Sequence, residues 1–191
     1  AARRRGRPAP EPPEDGTAAV DAEPDPESVA RAIVLRQLSA APRSRAQLED
    51  ALARRDVPEE VAARVLDRFT EVGLIDDEEY ARMLVRSRHR DRGLSRRALG
   101  TELRRKGIDD ETAAAALEEV DGDDEEHAAR ELVAKKLRAT ASLATEVRVR
   151  RTYAALARKG YPPGLVAGLV REALAAEGAA DDAPGWSDAE G

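Results

Sequence analysis

Apolar residues in this chain recur at helical spacing in nine stretches, and breakers separate them in groups of three. In the first group, a helix over about 28–40 carries Val29, Ala32, Ile33, Arg36 and Gln37 at helical spacing, with Pro42 beyond its end. Ser44 followed by Gln47 is a capping-box pattern, and Leu48 and Leu52 lie one turn apart on the helix it opens. That helix ends at Asp56-Val57. Pro58 then stands in a first helical turn, where its missing N–H does no harm. Val61, Val65, Leu66 and Phe69 form the next apolar stripe, and Gly73 closes it.

The second group repeats the plan. Asp76 or Asp77 caps a helix to about Asp91, before Gly93. Ser95 caps the next, with Leu99 and Leu103 inward. Gly107 is placed for a left-handed C-cap followed by apolar Ile108. Asp109 or Asp110 opens a third helix, rich in alanine from Ala113 to Ala116, that ends near Gly122. The third group predicts helices over about 124–139, 143–159 and 164–176, with Gly160 as C-cap and Pro162-Pro163 before the last. No alternating strand pattern or Asn-Gly hairpin signal occurs.

One motif ties the groups together. LARRDVPEEV at 52–61, LRRKGIDDET at 103–112 and LARKGYPPGL at 156–165 share a leucine, a basic pair, a turn residue and an apolar residue. A fixed period means one structural unit repeated in a row. The expected fold class is therefore all-α, an elongated tandem array of three three-helix repeats over 28–75, 76–123 and 124–177. A Pro-rich tail (1–27) and an acidic tail (178–191) are expected to be disordered. The first holds six of eleven prolines and few large apolar side chains. Trp186, in the second, reads as a lone tail aromatic or as a docking residue.

Composition narrows the function. There is no cysteine, so disulfides, thiolate metal ligands and a cysteine nucleophile are excluded, which suits a cytoplasmic setting. No apolar run approaches about 18 residues, so no membrane contact is expected. The basic start lacks the apolar run of a secretory signal. His89 and His127 have no partner at metal spacing, and the acidic pairs Asp76-Asp77 and Glu78-Glu79 open a helix, where the dipole favours anions. No phosphate-binding or nucleophile-elbow motif is present. Neither an enzyme, a cofactor nor a metal is expected.

Charge adds a sharper signal. The net −6 hides acidic ends: −3 over 1–27 and −5 over 177–191 leave +2 for the repeats. Residues 82–108 hold Arg82, Arg86, Arg88, Arg90, Arg92, Arg96, Arg97, Arg104, Arg105 and Lys106, opposed only by Asp91 and Glu102. Arg82, Arg86 and His89 fall on the helix face opposite Tyr80, Met83 and Leu84. Arg97 and Arg104 fall opposite Leu99 and Leu103. A smaller cluster, Arg148, Arg150, Arg151, Arg158 and Lys159, lies in the third unit. A chain with 28 arginines and 4 lysines can owe such runs to base composition or to a solvated face. The concentration within an acidic chain favours a surface for an anionic partner, which arginine grips through its bidentate fork. Few aromatics are available for base stacking, so direct strand binding is weakly supported. A helix-turn-helix reading with Arg97 or Arg104 in a DNA groove is the alternative.

Three segments carry a resemblance: GLIDDEEYARMLVRSR at 73–88, LSRRALGTELRRKGID at 94–109 and VRRTYAALARKGYPPGLV at 149–166. The chain resembles the bacterial RecX regulatory proteins, modulators of the RecA recombinase, over about 28–176. Tyr161 stands where that family usually has Phe. The resemblance implies a non-enzymatic, monomeric, cytoplasmic protein that binds in the groove of the RecA filament and lowers its ATP hydrolysis and strand exchange. It implies that the middle-unit basic residues face the filament, with weak contact to DNA phosphates, and that Arg148, Arg151 and Lys159 extend that contact. Asp76, Asp77 and Tyr80 would be structural. A direct DNA-binding helical module remains the alternative function.

Overall fold

The computed structural model describes residues 25–181; the two expected tails, with Trp186, lie almost wholly outside them. The described residues form nine helices and no strand. Unit one holds α1 (Pro26–Ala40), α2 (Arg45–Ala53) and α3 (Glu59–Glu71). Unit two holds α4 (Asp77–Arg92), α5 (Arg96–Arg105) and α6 (Asp110–Leu117). Unit three holds α7 (Gly122–Ala139), α8 (Thr145–Arg158) and α9 (Pro163–Asp181).

The caps follow local chemistry. Ser44 and Gln47 form the capping box of α2. Asp76, Ser95, Asp109 and Asp121 cap α4, α5, α6 and α7 by accepting from the backbone N–H three residues on. Several ends differ from the expected ones. Asp25 caps α1 through Ser28 N, so Pro26 and Glu27, counted with the Pro-rich tail, begin a helix. Gly122 starts α7 instead of closing α6, because Asp121 supplies the cap. Ala144 precedes α8 with no side-chain cap. The buried stripe of α1 is Ala30, Ile33 and Val34; Ala32 and Arg36 face outward.

Each unit has its own core. Leu48, Leu52, Leu66 and Phe69 centre the first. Leu84, Val85, Leu99 and Leu103 centre the second, and Val133, Leu137, Leu156 and Tyr161 the third. Each fully buried leucine contributes roughly 1.5–3 kcal/mol through lost apolar exposure. The helix pairs that pack extensively all lie within one unit. The chain is a row of three small cores, and what positions them is the joint between neighbours.

Candidate functional site

Both joints use the same parts. In each, the N-terminus of a unit's middle helix seats on the turn that ends the middle helix of the next unit. Ser44 Oγ donates to the Lys106 carbonyl at 2.5 Å, and Arg45 N donates to Asp77 Oδ1 at 2.8 Å. At the second joint, Ser95 N donates to the Lys159 carbonyl at 3.0 Å, and Arg96 N donates to Glu125 Oε1 at 3.0 Å. A carboxylate of the following unit thus caps the helix of the preceding one.

The turn residues explain the threefold motif. Gly107 and Gly160 have φ of +76° and +85°. A β-carbon at Gly160 would lie 2.5 Å from Ser95 Oγ and 2.8 Å from Ala98 Cβ, and one at Gly107 would collide with Ala46. Glycine is needed there both for the left-handed backbone and for the close approach of the preceding unit. Asp56, at the same position in unit one, also has φ of +56°. No unit packs on it, so a side chain is tolerated.

The second joint opens an exposed groove of about 710 Å³. Arg92, Arg97, Arg105 and Lys106 reach it from unit two and Arg158 from unit three, with Leu94, Tyr161 and Pro163 at its base. Glu102 is its one acid, and Arg88 holds that carboxylate at 2.9 Å. Two contacts close the joint beside it. Tyr161 Oη donates to the Gly93 carbonyl at 3.1 Å, and Lys159 Nζ donates to the Arg92 carbonyl. Burial pushes the Tyr161 phenol up to about 12, with Glu125 adding to the shift. Lys159 is held below the ordinary lysine value by burial first, then by the like charges of Lys136, Lys135 and Arg92.

The remaining basic residues separate into engaged and free ones. Arg82 pairs with Glu78 at 2.9 Å, and Arg86 with Glu79 at 2.7 Å and Glu119 at 3.3 Å. Hydrogen bonding to Glu79 raises the Arg86 pKa. Within 82–108 only two acids were visible to oppose the cluster; the fold brings up three more, from positions 78, 79 and 119. Arg90 pairs with adjacent Asp91, and Arg104 lies 3.9 Å from Asp110. Arg148, expected to extend a contact surface, is only 11% exposed and bonds Glu177 at 2.7 Å. That pair fastens the start of α8 to the end of α9. Arg96 serves the joint through its backbone. Arg150 and Arg151 are exposed without an ion pair among the described residues. Lys135 and Lys136, exposed on α7, were missed from sequence; their only signal was a basic pair separated from Lys159 by one helix. His89 Nδ1 meets the Leu94 carbonyl at 3.0 Å, a turn contact.

Among the described residues no group of three or more His, Asp or Glu side chains could hold a metal ion, and no helix is long and apolar enough to cross a membrane. Five convergent cations and one engaged acid are suited to holding an extended anion. Asp76 and Asp77 are occupied as caps, and Tyr80 donates to Gln47 Oε1 at 3.1 Å across the first joint.

The chain matches three family models in order. Residues 30–69 match the first three-helix domain of RecX, 76–117 the second and 123–168 the third. It is 55% identical over 155 residues to the regulatory protein RecX of Thermobifida fusca, covering 81% of this chain and 84% of that one. It is 52% identical over 154 residues to the RecX of Streptomyces lividans, covering 81% and 82%. The crystal structure of RecX from Lactobacillus salivarius superposes with a TM-score of 0.69 at 22% identity, over 79% of this chain and 98% of that one. At that identity the likeness speaks for the fold.

Proposed function

The chain belongs to the RecX family of regulatory proteins, and from that premise we propose that it binds the RecA nucleoprotein filament and inhibits its ATPase and strand exchange. One observation carries the choice of contact surface. Cations from units two and three converge on the groove at the second joint, while those on the outer face of α4 are engaged by the chain's own carboxylates. A charge already paired offers little to a partner; an unpaired guanidinium in a concave site offers its full fork.

The anion received is an acidic surface of the filament protein, with DNA phosphates at the margin. The role requires binding alone, by one cytoplasmic copy of the chain, with the three units acting as separately folded domains in a row. Arg92, Arg97, Arg105, Lys106 and Arg158 carry the contact; Arg82, Arg86, Arg88 and Arg148 serve the chain's own structure. The test is DNA-dependent ATP hydrolysis by RecA titrated with this protein. Hydrolysis should fall as the protein approaches stoichiometry with RecA; unchanged hydrolysis at saturation would refute the proposal.

Direct binding of naked DNA is the second reading, and the guanidinium-rich groove favours it. The aromatics disfavour it. Phe69, Tyr80 and Tyr161 are buried in the cores and Tyr153 is half-buried, so none of the described ones is free as a stacking platform.

A further inference from the structure

The four lysines of this arginine-rich chain all stand around the second joint: Lys106 in the groove, Lys159 at its edge, and Lys135 and Lys136 on α7 beside it. Of these, Lys159 has the most unusual surroundings. It follows the end of α8, is partly exposed, and crosses from unit three to donate to the Arg92 carbonyl at the end of α4. Its charged neighbours are Arg92, Lys135 and Lys136, and no carboxylate pairs with it among the described residues. An amine becomes a nucleophile when it gives up its proton, and neighbouring cations ease that loss. The same cations concentrate small anions at the spot.

We propose that Lys159 is the preferred acylation site of this protein, with small acyl phosphates as the donor class. The ammonium first releases a proton to solvent. The free Nζ lone pair then attacks the acyl carbonyl carbon, an N–C bond forms, and the C–O bond to phosphate breaks. Inorganic phosphate leaves with that electron pair, its charge balanced by Arg92, Lys135 and Lys136, and the second Nζ proton passes to solvent. Nothing is oxidised or reduced. The product is a neutral amide with a single N–H, so the groove edge loses a positive charge and the Arg92 carbonyl loses its charged donor. On the reading of the groove as the partner surface, and only for this consequence, acylation weakens binding.

The test incubates the full chain with acetyl phosphate under mildly alkaline conditions to low conversion, then measures the initial acetylation rate at each of the four lysines by peptide mass spectrometry. Lys159 should react several-fold faster than each of the other three, and its rate should fall in a Lys135→Ala/Lys136→Ala variant. A Lys159 rate no greater than those of Lys135 and Lys136, or one unchanged in the variant, would overturn the proposal. Neither readout involves RecA. A chain that shows this selectivity yet leaves RecA hydrolysis untouched would lose the proposed function and keep its acylation site.

Discussion

Tyr161 of unit three donates its hydroxyl to the carbonyl of Gly93 in unit two at 3.1 Å, from a ring buried in its own core. One side chain thus belongs to a core and to a joint at once. The ring packs with Leu156 and Val166, while the hydroxyl satisfies a carbonyl at the end of the neighbouring unit's first helix. A phenylalanine would fill the core equally well and leave that carbonyl without this donor.

That dual role predicts an alkaline weakness. The folded chain holds the Tyr161 proton more tightly than the unfolded one, since its pKa is raised from 10 to about 12. The contribution is complete below pH about 10 and is lost as pH rises toward 12, on the order of 2 kcal/mol in all. Urea midpoints measured across that range should fall for the wild type. Tyr161→Phe should start lower by about 1 kcal/mol for the missing hydrogen bond and then fall less. An equally steep fall in the variant would contradict the assignment.

Gly160→Ala should be costly and Asp56→Gly nearly free, although both positions sit in the same turn of the repeat. Alanine at Gly160 meets the left-handed backbone and the side chains of Ser95 and Ala98 together, costing about 2–4 kcal/mol. Glycine at Asp56 relieves a left-handed residue that touches no neighbouring unit, for a change under about 1 kcal/mol. Denaturant unfolding of the two variants decides; equal effects would remove the joint as the reason for the glycine.

Arg148 should matter for stability. Glu177→Gln leaves its guanidinium, 11% exposed, without a counter-charge, for a loss of about 1–3 kcal/mol, the partial exposure of Glu177 keeping it low in the range for buried pairs. Arg151→Ala, at an exposed position of the same helix, should change stability by less than about 0.5 kcal/mol. Thermal or urea melts of both variants check the contrast.

Naked single-stranded DNA gives a fourth check. If the groove's five cations all met phosphates, log affinity against log salt would fall with a slope of at most about 3.5 in magnitude. Anisotropy of a labelled oligonucleotide should show weak binding within that limit, and Arg97→Ala should lower the slope by about 0.7. A steeper slope would mean a DNA surface wider than the groove.

Much of this architecture was legible in the sequence because it is local. Caps such as Ser44–Gln47 and Ser95, the paired leucines, and the Gly107 and Gly160 turns act within a few residues, and the three units followed from them. The charge surface was legible only in part. Counting within 82–108 exposed a basic excess, but whether Arg86 is free depends on Glu119, which is 33 residues away and is brought near when α6 packs on α4. Arg148 looked like surface because its acid, Glu177, closes on it only through the pairing of α8 with α9. The groove itself was hidden in the motif. The lysine that ends unit three's copy, Lys159, is the residue whose carbonyl seats unit two.

The most direct test compares two charge variants in RecA-dependent ATP hydrolysis. Arg97→Glu/Arg105→Glu/Arg158→Glu reverses the groove, and Arg82→Gln/Arg86→Gln removes arginines already paired within the chain. Circular dichroism should show both helical. The groove variant should need at least about tenfold more protein to inhibit, a loss of 1.4 kcal/mol or more, while the paired-face variant stays within about twofold of wild type. Retained inhibition by the groove variant, with inhibition lost from the paired-face variant, would contradict the placement of the partner at the second joint.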